Sequence, residues 1–252
     1  MVEVKGVCKA YGEKVVLAET SVSIPKRTIT SFIGANGAGK STLLSIMSRL
    51  VSPDSGSIEI EGKDMAAFES NELAKKISIL KQSNQLSIRL TIRELANFGR
   101  FPYSKGRLTK EDKEFVDKAL SYMKLEDIQD KYLDELSGGQ CQRAFIAMVI
   151  AQDTDYIFLD EPLNNLDMKH SVEIMKLLRQ LVEELGKTIV IVIHDINFAS
   201  AYSDYIVALK GGQIVQKGKT EDIIQTPVLQ DIYDMHIPIE MVNGKRICLY
   251  FS

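Results

Sequence analysis

The chain has 252 residues, 45% hydrophobic and 26% charged, a composition that excludes a mainly disordered protein. Lys and Arg number 31 against 34 Asp and Glu, so the net charge is −3. There is no basic stripe of the kind a nucleic-acid binder carries, and no nucleic acid is expected as partner. The apolar stretches Ala144–Ala151 and Ile189–Ile193 fall short of the roughly 18 residues that a membrane span needs. Cys8, Cys141 and Cys248 are odd in number, far apart and free of any CxxC spacing. That argues against zinc and against a disulfide framework, and for a reducing, cytoplasmic compartment. The N-terminus lacks the basic start and long apolar core of a secretory signal.

In chain order, Val2, Val4 and Val7 alternate loosely until Tyr11-Gly12 turns the chain. Lys14 to Ile24 alternates again, and Pro25 punctuates it. Thr28 to Ile33 is a β-branched run and reads as a strand. A helical spacing follows in Thr42, Leu43, Leu44, Ile46 and Met47. Residues 51–56 form a turn cluster, and Ser57 to Glu61 reads as a strand. Asn71 to Lys76 suits a helix, and Ile77 to Leu80 a strand running into Gln82. Between Leu90 and Ala151 the sequence favours helices. Thr91 can cap one, with Glu94 at the capping-box position. Thr109 can cap a second, with acidic residues in its first turn, and Ser137 a third. Strands and helices then alternate again. Tyr156 to Leu159, Thr188 to Ile193 and Tyr205 to Leu209 read as strands, the second apolar throughout as in a buried parallel sheet. His170 to Leu185 and Asn197 to Tyr202 read as helices. Asn243-Gly244 marks a terminal hairpin, Ile237 to Met241 with Arg246 to Phe251. The expectation is an α/β core, residues 1–82 and 156–252, with a helical insertion at 83–155.

The chemistry begins at Gly34-Ala35-Asn36-Gly37-Ala38-Gly39-Lys40-Ser41, which matches G-x-x-x-x-G-K-S between a strand and a helix. A chain of this length meets that pattern by chance about one time in a hundred. Glycines let successive backbone N–H groups turn toward phosphate oxygens, and the helix N-terminus adds positive potential. Lys40 suits the β- and γ-phosphates of a nucleotide, and the Ser41 hydroxyl suits Mg²⁺. Such a loop needs carboxylates, and Asp160-Glu161 closes the apolar run Ile157 to Leu159. Ligands of open α/β sheets bind at the carboxyl ends of strands. Asp160 is expected to hold Mg²⁺ and Glu161 to polarise a water. His194 closes the next strand, and the Gln82 amide could complete a Mg²⁺ shell. Ser137-Gly138-Gly139-Gln140 opens a helix with two poor helix formers, which close approach of a second phosphate would explain. Cys141 in the same first turns could have its thiol acidified by the helix N-terminus, or could face inward as a small apolar residue.

These motifs resemble those of the ABC-transporter ATPase subunits over essentially the whole chain. GANGAGKS is similar to their Walker A, LSGGQCQR to their signature, IFLDE to their Walker B, and NNLD to the loop that follows it. The resemblance implies a P-loop NTPase (RecA-like) core with an N-terminal antiparallel β-subdomain and an inserted helical subdomain. It implies ATP bound by Tyr11, stacked on adenine, and by Gly34, Asn36, Gly37, Ala38, Gly39, Lys40, Ser41 and Thr42. Ser137, Gly138, Gly139 and Gln140 of a second copy would complete the site in a head-to-tail homodimer. Glu161 and His194 would be catalytic, with Mg²⁺ held by Ser41, Gln82 and Asp160. Ala35, Leu163, Asn164 and Cys141 depart from the commoner residues of the family but remove no catalytic group. The stretch LTIRELANFGRFPY resembles the iron-siderophore, haem and cobalamin importers, and most closely petrobactin-type ferric catecholate importers. That implies permease subunits in the membrane, an extracellular binding protein, and a peripheral place on the cytoplasmic face. Importers of haem, cobalamin or another chelate, and soluble ABC-type ATPases, remain alternatives. A P-loop kinase would not carry LSGGQ. Phe98 and Phe101 suit core packing of the insertion, and Phe101-Pro102-Tyr103 a surface that docks a permease loop.

Overall fold

The computed structural model describes residues 1–82, 88–164 and 166–251. The first residues of the expected insertion, 83–87, and Asn165 of the NNLD loop lie outside the described residues. The chain forms two compact units, one of Met1–Phe68 with the segment from Leu178 onward, the other of Glu69–Leu177.

The first unit opens with β1 (Val2–Tyr11) and β2 (Lys14–Ile24), paired antiparallel about the Tyr11-Gly12 turn. Thr20, Val22 and Ile24 of β2 are buried in strict alternation, and Leu17 is buried beyond a register shift in the pairing with β1. The expected strand at Thr28 is β3 (Ile29–Ile33), buried at every position. It leads through the glycine loop into α1 (Lys40–Met47), whose Leu43, Leu44, Ile46 and Met47 are buried. Next, β4 (Ser55–Ile60) pairs antiparallel with β1 and with the short β5 (Lys63–Asp64).

In the second unit α2 (Ser70–Ala74) precedes β6 (Ile77–Leu80). Helix α3 (Ile92–Phe98) starts on the Thr91–Glu94 capping box, and α4 (Phe101–Ser104) follows. Helix α5 (Lys110–Tyr122) starts on the Thr109–Asp112 box, and α6 (Gly138–Ala151) on Ser137 with Gln140. Strand β7 (Tyr156–Asp160) lies parallel to β6. The unit extends beyond 83–155 because these two strands pair with each other and Gln152 Nε2 donates to the carbonyls of Ala74 and Ile77. Helix α7 (Met168–Leu185) carries the chain back to the first unit.

There β8 (Thr188–Val192) pairs parallel with β3. After α8 (Ile196–Tyr202), β9 (Tyr205–Lys210) pairs with the other side of β3, also parallel. Strand β10 (Gln213–Lys219) turns back antiparallel along β9. Then come α9 (Thr220–Ile223), α10 (Thr226–Tyr233) and the terminal hairpin of β11 (Ile239–Val242) and β12 (Lys245–Cys248). Asn197 of α8 fastens that hairpin: its amide donates to the Cys248 carbonyl and accepts from the Cys248 N–H. Among the described residues no helix is long and apolar enough to cross a membrane.

The helical part of the second unit is built around one buried cation. Arg100 is 4% exposed, its Nε donates to Asp112 Oδ1 at 2.9 Å, and its Nη1 donates to the Ala151 carbonyl. The guanidinium also lies 4.0 Å from the Tyr103 ring centroid and 4.2 Å from that of Phe115. One side chain thus joins α4, α5 and the end of α6. By contrast Phe98 and Phe101, expected in the core, are 52% and 57% exposed. Arg100 takes the inward position between them, and the two rings flank a surface groove of about 340 Å³ with Leu90 and Leu108.

Burial pushes the Asp112 carboxyl up, but the bonds from Thr109 and Arg100 outweigh it and hold the group below its usual range. Arg100→Leu should lower the unfolding free energy by about 3 kcal/mol in urea titration, because it strands a buried carboxylate. A carboxyl whose folded pKa is depressed stabilises the fold fully above its unfolded pKa, about 3.9. The contribution is lost as pH falls through the folded value, so acid melts of wild-type protein should steepen below about pH 4 and those of Asp112→Asn less so.

Candidate functional site

In the first unit the site begins where β3 stops. Gly34 has φ +133°, and a Cβ there would stand 2.0 Å from the Leu209 carbonyl oxygen of β9. Only glycine meets both conditions. Gly39, the N-cap of α1, has φ +98°, and its Cβ would meet Leu17 Cδ2 at 2.7 Å and the Val16 carbonyl at 2.9 Å. Ala35, Asn36 and Gly37 form the exposed tip of the loop, while Ala38 to Lys40 are buried. Lys40 is 5% exposed, and its ammonium donates to the carbonyls of Gly34 at 2.8 Å and Ala35 at 2.9 Å. Phosphate oxygens would offer that cation charge-assisted bonds, stronger than those to neutral carbonyls. The first turn of α1 carries no acidic side chain, and its N-cap Gly39 makes no side-chain cap. Ser41 and Thr42, half-buried, lie in that turn. A loop of this shape, with a buried lysine and an uncapped helix start, fits a polyphosphate.

The register of the sheet brings His194 to the same edge. Phe32 of β3 pairs with Val192 of β8, and the Ile193 N–H donates to the Phe32 carbonyl at 3.2 Å. Gly34 and His194 therefore each lie two residues beyond a matched pair. His194 is exposed, and Asp195 behind it caps α8 by accepting from Asn197 and Phe198 N–H. Tyr11 is 53% exposed at the end of β1, with the Lys9 ammonium 5.6 Å from its ring centroid. An exposed ring of this kind can stack on a flat base. A cleft of about 1110 Å³ also opens in this unit, but at the other end of the strands, around Thr28 and Tyr205. Its charges are engaged internally, Arg179 with Asp204 and Arg246 with the carbonyls of Glu221 and Ile224. We read it as structural.

In the second unit β6 and β7 do the same for a pair of polar groups. Leu80 pairs with Leu159, which sets Gln82 and Glu161 two residues beyond the match. Gln82 Nε2 donates to Glu161 Oε2 at 2.7 Å, and Asn164 Nδ2 donates to the same oxygen. Glu161 has φ +52°, a left-handed conformation that β-strand neighbours do not share. Asp160, one residue earlier, is 8% exposed at the end of β7. Ser137 and Gln140 satisfy each other's backbone N–H groups, so the start of α6 is a capping box. Gly139 has a packing reason as well as the expected phosphate one, since a Cβ there would stand 3.3 Å from Leu166 Cδ2. Gln142 Nε2 donates to the Pro162 carbonyl at 2.9 Å, which fastens α6 to the turn after Glu161. The contacts of Asn164 and Gln142 were not expected from the sequence. The signal for Asn164 was its place three residues after Glu161 in a tight turn, where its N–H also donates to the Glu161 carbonyl.

Of the two readings of Cys141, the structure favours the inward one. Cys141 is half-buried, and burial pushes its thiol up. For a metal, the first unit offers the Ser41 hydroxyl and the second the Gln82 amide and the Asp160 carboxylate, hard oxygen donors of the kind that suits Mg²⁺. Among the described residues no group of three or more His, Cys, Asp or Glu could hold an ion alone. Donors of this kind suit an ion that arrives on phosphates, as Mg²⁺ commonly does, with one or two protein ligands.

Comparison with known proteins agrees with this chemistry. The ABC transporter family profile matches residues 17–164, more than half the chain. The chain is 74% identical to the petrobactin import ATP-binding protein YclP of Bacillus subtilis over 100% of both chains. It is 48% identical to the petrobactin import ATP-binding protein FatE of Bacillus anthracis over 97% of each. A dimeric structure of the ABC transporter cassette MJ0796 superposes with a TM-score of 0.79 at 33% identity, covering 87% of this chain and 99% of that one. A metal-chelate type ABC transporter in an inward-facing conformation shares the fold, with a TM-score of 0.84 over 99% and 98% of the two chains at 22% identity.

Two outcomes follow from the geometry. Gly34→Ala should abolish binding of a fluorescent ATP analogue and cost about 2 kcal/mol or more of stability by thermal melt, since neither φ nor the Leu209 carbonyl admits a methyl. A raised thiol pKa leaves less thiolate at neutral pH than in free cysteine. Cys141, in a Cys8→Ser, Cys248→Ser background, should react with a maleimide at least tenfold more slowly than glutathione at pH 7.5 and speed up above pH 9.

Proposed function

This chain belongs to the ABC transporter family, as its ATP-hydrolysing cassette, and from that we propose that it powers import of a ferric siderophore, of petrobactin type, through a separate membrane permease. The observation that carries the reading is the full-length identity to a petrobactin import protein. Relatives that import ferric hydroxamate and ferric enterobactin, each 38% identical, support the wider siderophore class. In this reading residues 1–252 are a single ATPase domain, with 83–155 the helical insertion that carries the signature. It works as a homodimer on the cytoplasmic face of the membrane, with an extracellular binding protein delivering the chelate. The exposed Phe98 and Phe101 suit the permease contact.

The roles of the residues follow from their chemistry. The loop from Gly34 to Ser41 binds the phosphates of ATP through the backbone N–H groups that follow Gly34 and through the Lys40 ammonium, and Thr42 supports them from the first turn of α1. Tyr11 stacks on the adenine. Ser137, Gly138, Gly139 and Gln140 serve the nucleotide of a second copy. Ser41, Asp160 and Gln82 hold Mg²⁺, which when bound neutralises charge on the β- and γ-phosphates. Glu161 accepts a hydrogen bond from water and orients it toward the γ-phosphorus. Gln82 and Asn164 both donate to one oxygen of that carboxylate, which fixes its plane. His194 donates to the γ-phosphate.

Glu161→Gln should retain ATP affinity within about threefold and lose at least a hundredfold in turnover, read by phosphate release. Gel filtration with ATP should then show a stable dimer. Near-normal turnover removes Glu161 from the reaction. In cells, loss of the protein should abolish growth on ferric petrobactin but not on ferrous iron. Growth lost on haem or cobalamin instead would point to another importer.

A further inference from the structure

The family profile stops at residue 164, yet a residue far beyond it touches the nucleotide loop. Tyr233 is the last residue of α10, and its hydroxyl accepts a hydrogen bond from the Gly34 N–H at 3.2 Å. Burial pushes the phenol up to about 12, so it is a neutral hydroxyl at any working pH. Helix α10 is itself held. Leu229 and Ile232 are buried, and the Lys210 ammonium at the end of β9 reaches the Asp231 carbonyl and the Asp234 carboxylate, both at 2.7 Å.

We propose that Tyr233 is a positioning residue for the nucleotide site, fixing the Gly34 peptide when Lys40 leaves it for phosphate. The two peptides that flank the Gly34 α-carbon are each held by one side chain. Tyr233 holds the N–H on one side, and Lys40 holds the carbonyl on the other. Glycine has the widest backbone freedom of any residue, so the placing of those peptides leans on such anchors. A lysine that turns to a polyphosphate gives up its bonds to the Gly34 and Ala35 carbonyls. The Tyr233 hydroxyl is then the side-chain anchor that stays. Its hydrogen bond counts for more with nucleotide than without, which is what a contribution to affinity requires. The inference rests on the reading that the Gly34–Ser41 loop binds ATP.

The test compares Tyr233→Phe, which keeps the ring and removes the hydroxyl, with Leu229→Val, which loosens the same helix without touching Gly34. Binding of a fluorescent ATP analogue to Tyr233→Phe should weaken roughly fivefold, as loss of one hydrogen bond predicts. The melting temperature of the nucleotide-free protein should fall by no more than about 3 °C. Leu229→Val should lower the melting temperature while keeping affinity within about twofold. In wild-type protein without nucleotide, the Gly34 amide should be protected from hydrogen exchange, and Tyr233→Phe should speed that exchange. Unchanged affinity in Tyr233→Phe, or equal weakening in Leu229→Val, overturns the proposal. So does an unprotected Gly34 amide in wild type, which decides the matter even if Tyr233→Phe does not fold. Folded wild-type protein that binds no ATP would instead overturn the reading of the loop.

Discussion

The first unit depends on a constraint at Gly34, where there is no room for a side chain. The Leu209 carbonyl stands 2.0 Å from where a β-carbon would be. Strand β9 can approach that closely because it pairs in parallel with β3, with Ile33 matched to Ala208. The same parallel pairing on the other side of β3 delivers His194 to that edge. The turn at Gly34 also gives Lys40 two carbonyls within 3 Å, so a buried ammonium is satisfied before any nucleotide arrives. Sheet register, loop shape and cation placement are thus consequences of one backbone crossing.

The second unit solves a similar problem with charge. Three of its helices, α2, α3 and α4, are short, and α4 has only four residues. Isolated helices of that length are not stable in water. Arg100 supplies the long-range order by bonding to Asp112 and the Ala151 carbonyl and lying against two aromatic rings. At the edge of the β6–β7 pair, one side chain from just beyond β6 and one from the turn after β7 converge on the Glu161 carboxylate. This is a rigid arrangement, since each donor is fixed by its own backbone position.

Local chemistry was legible in the sequence, and long-range chemistry was not. The three N-caps at Thr91, Thr109 and Ser137 could be read because capping involves residues three apart. Buried strands such as Thr188–Val192 announce themselves by continuous β-branched residues. The glycine loop and the Asp160-Glu161 pair were visible as patterns. Strand β10 was missed because an edge strand with mostly exposed positions has no apolar alternation to show. Helices α9 and α10 went unread with it. Phe98 and Phe101 were expected inside, since hydrophobicity alone does not tell a core from a contact surface. The sequence left two readings of Cys141 open because its burial depends on neighbours the sequence does not list. Tyr233 and Gly34 lie 199 residues apart, and no spacing rule connects them.

The backbone at Glu161 sets durability against chemistry. Its φ of +52° is a region where any residue with a β-carbon is strained, by about 1 kcal/mol or more, and glycine is not. A glycine at this position would relax the turn and also release Gln82 and Asn164 from a shared oxygen. A library of variants ranked only by heat resistance would therefore favour discarding this carboxylate. Engineering for robustness must hold residue 161 constant and look for its gains at positions where the backbone is already at ease.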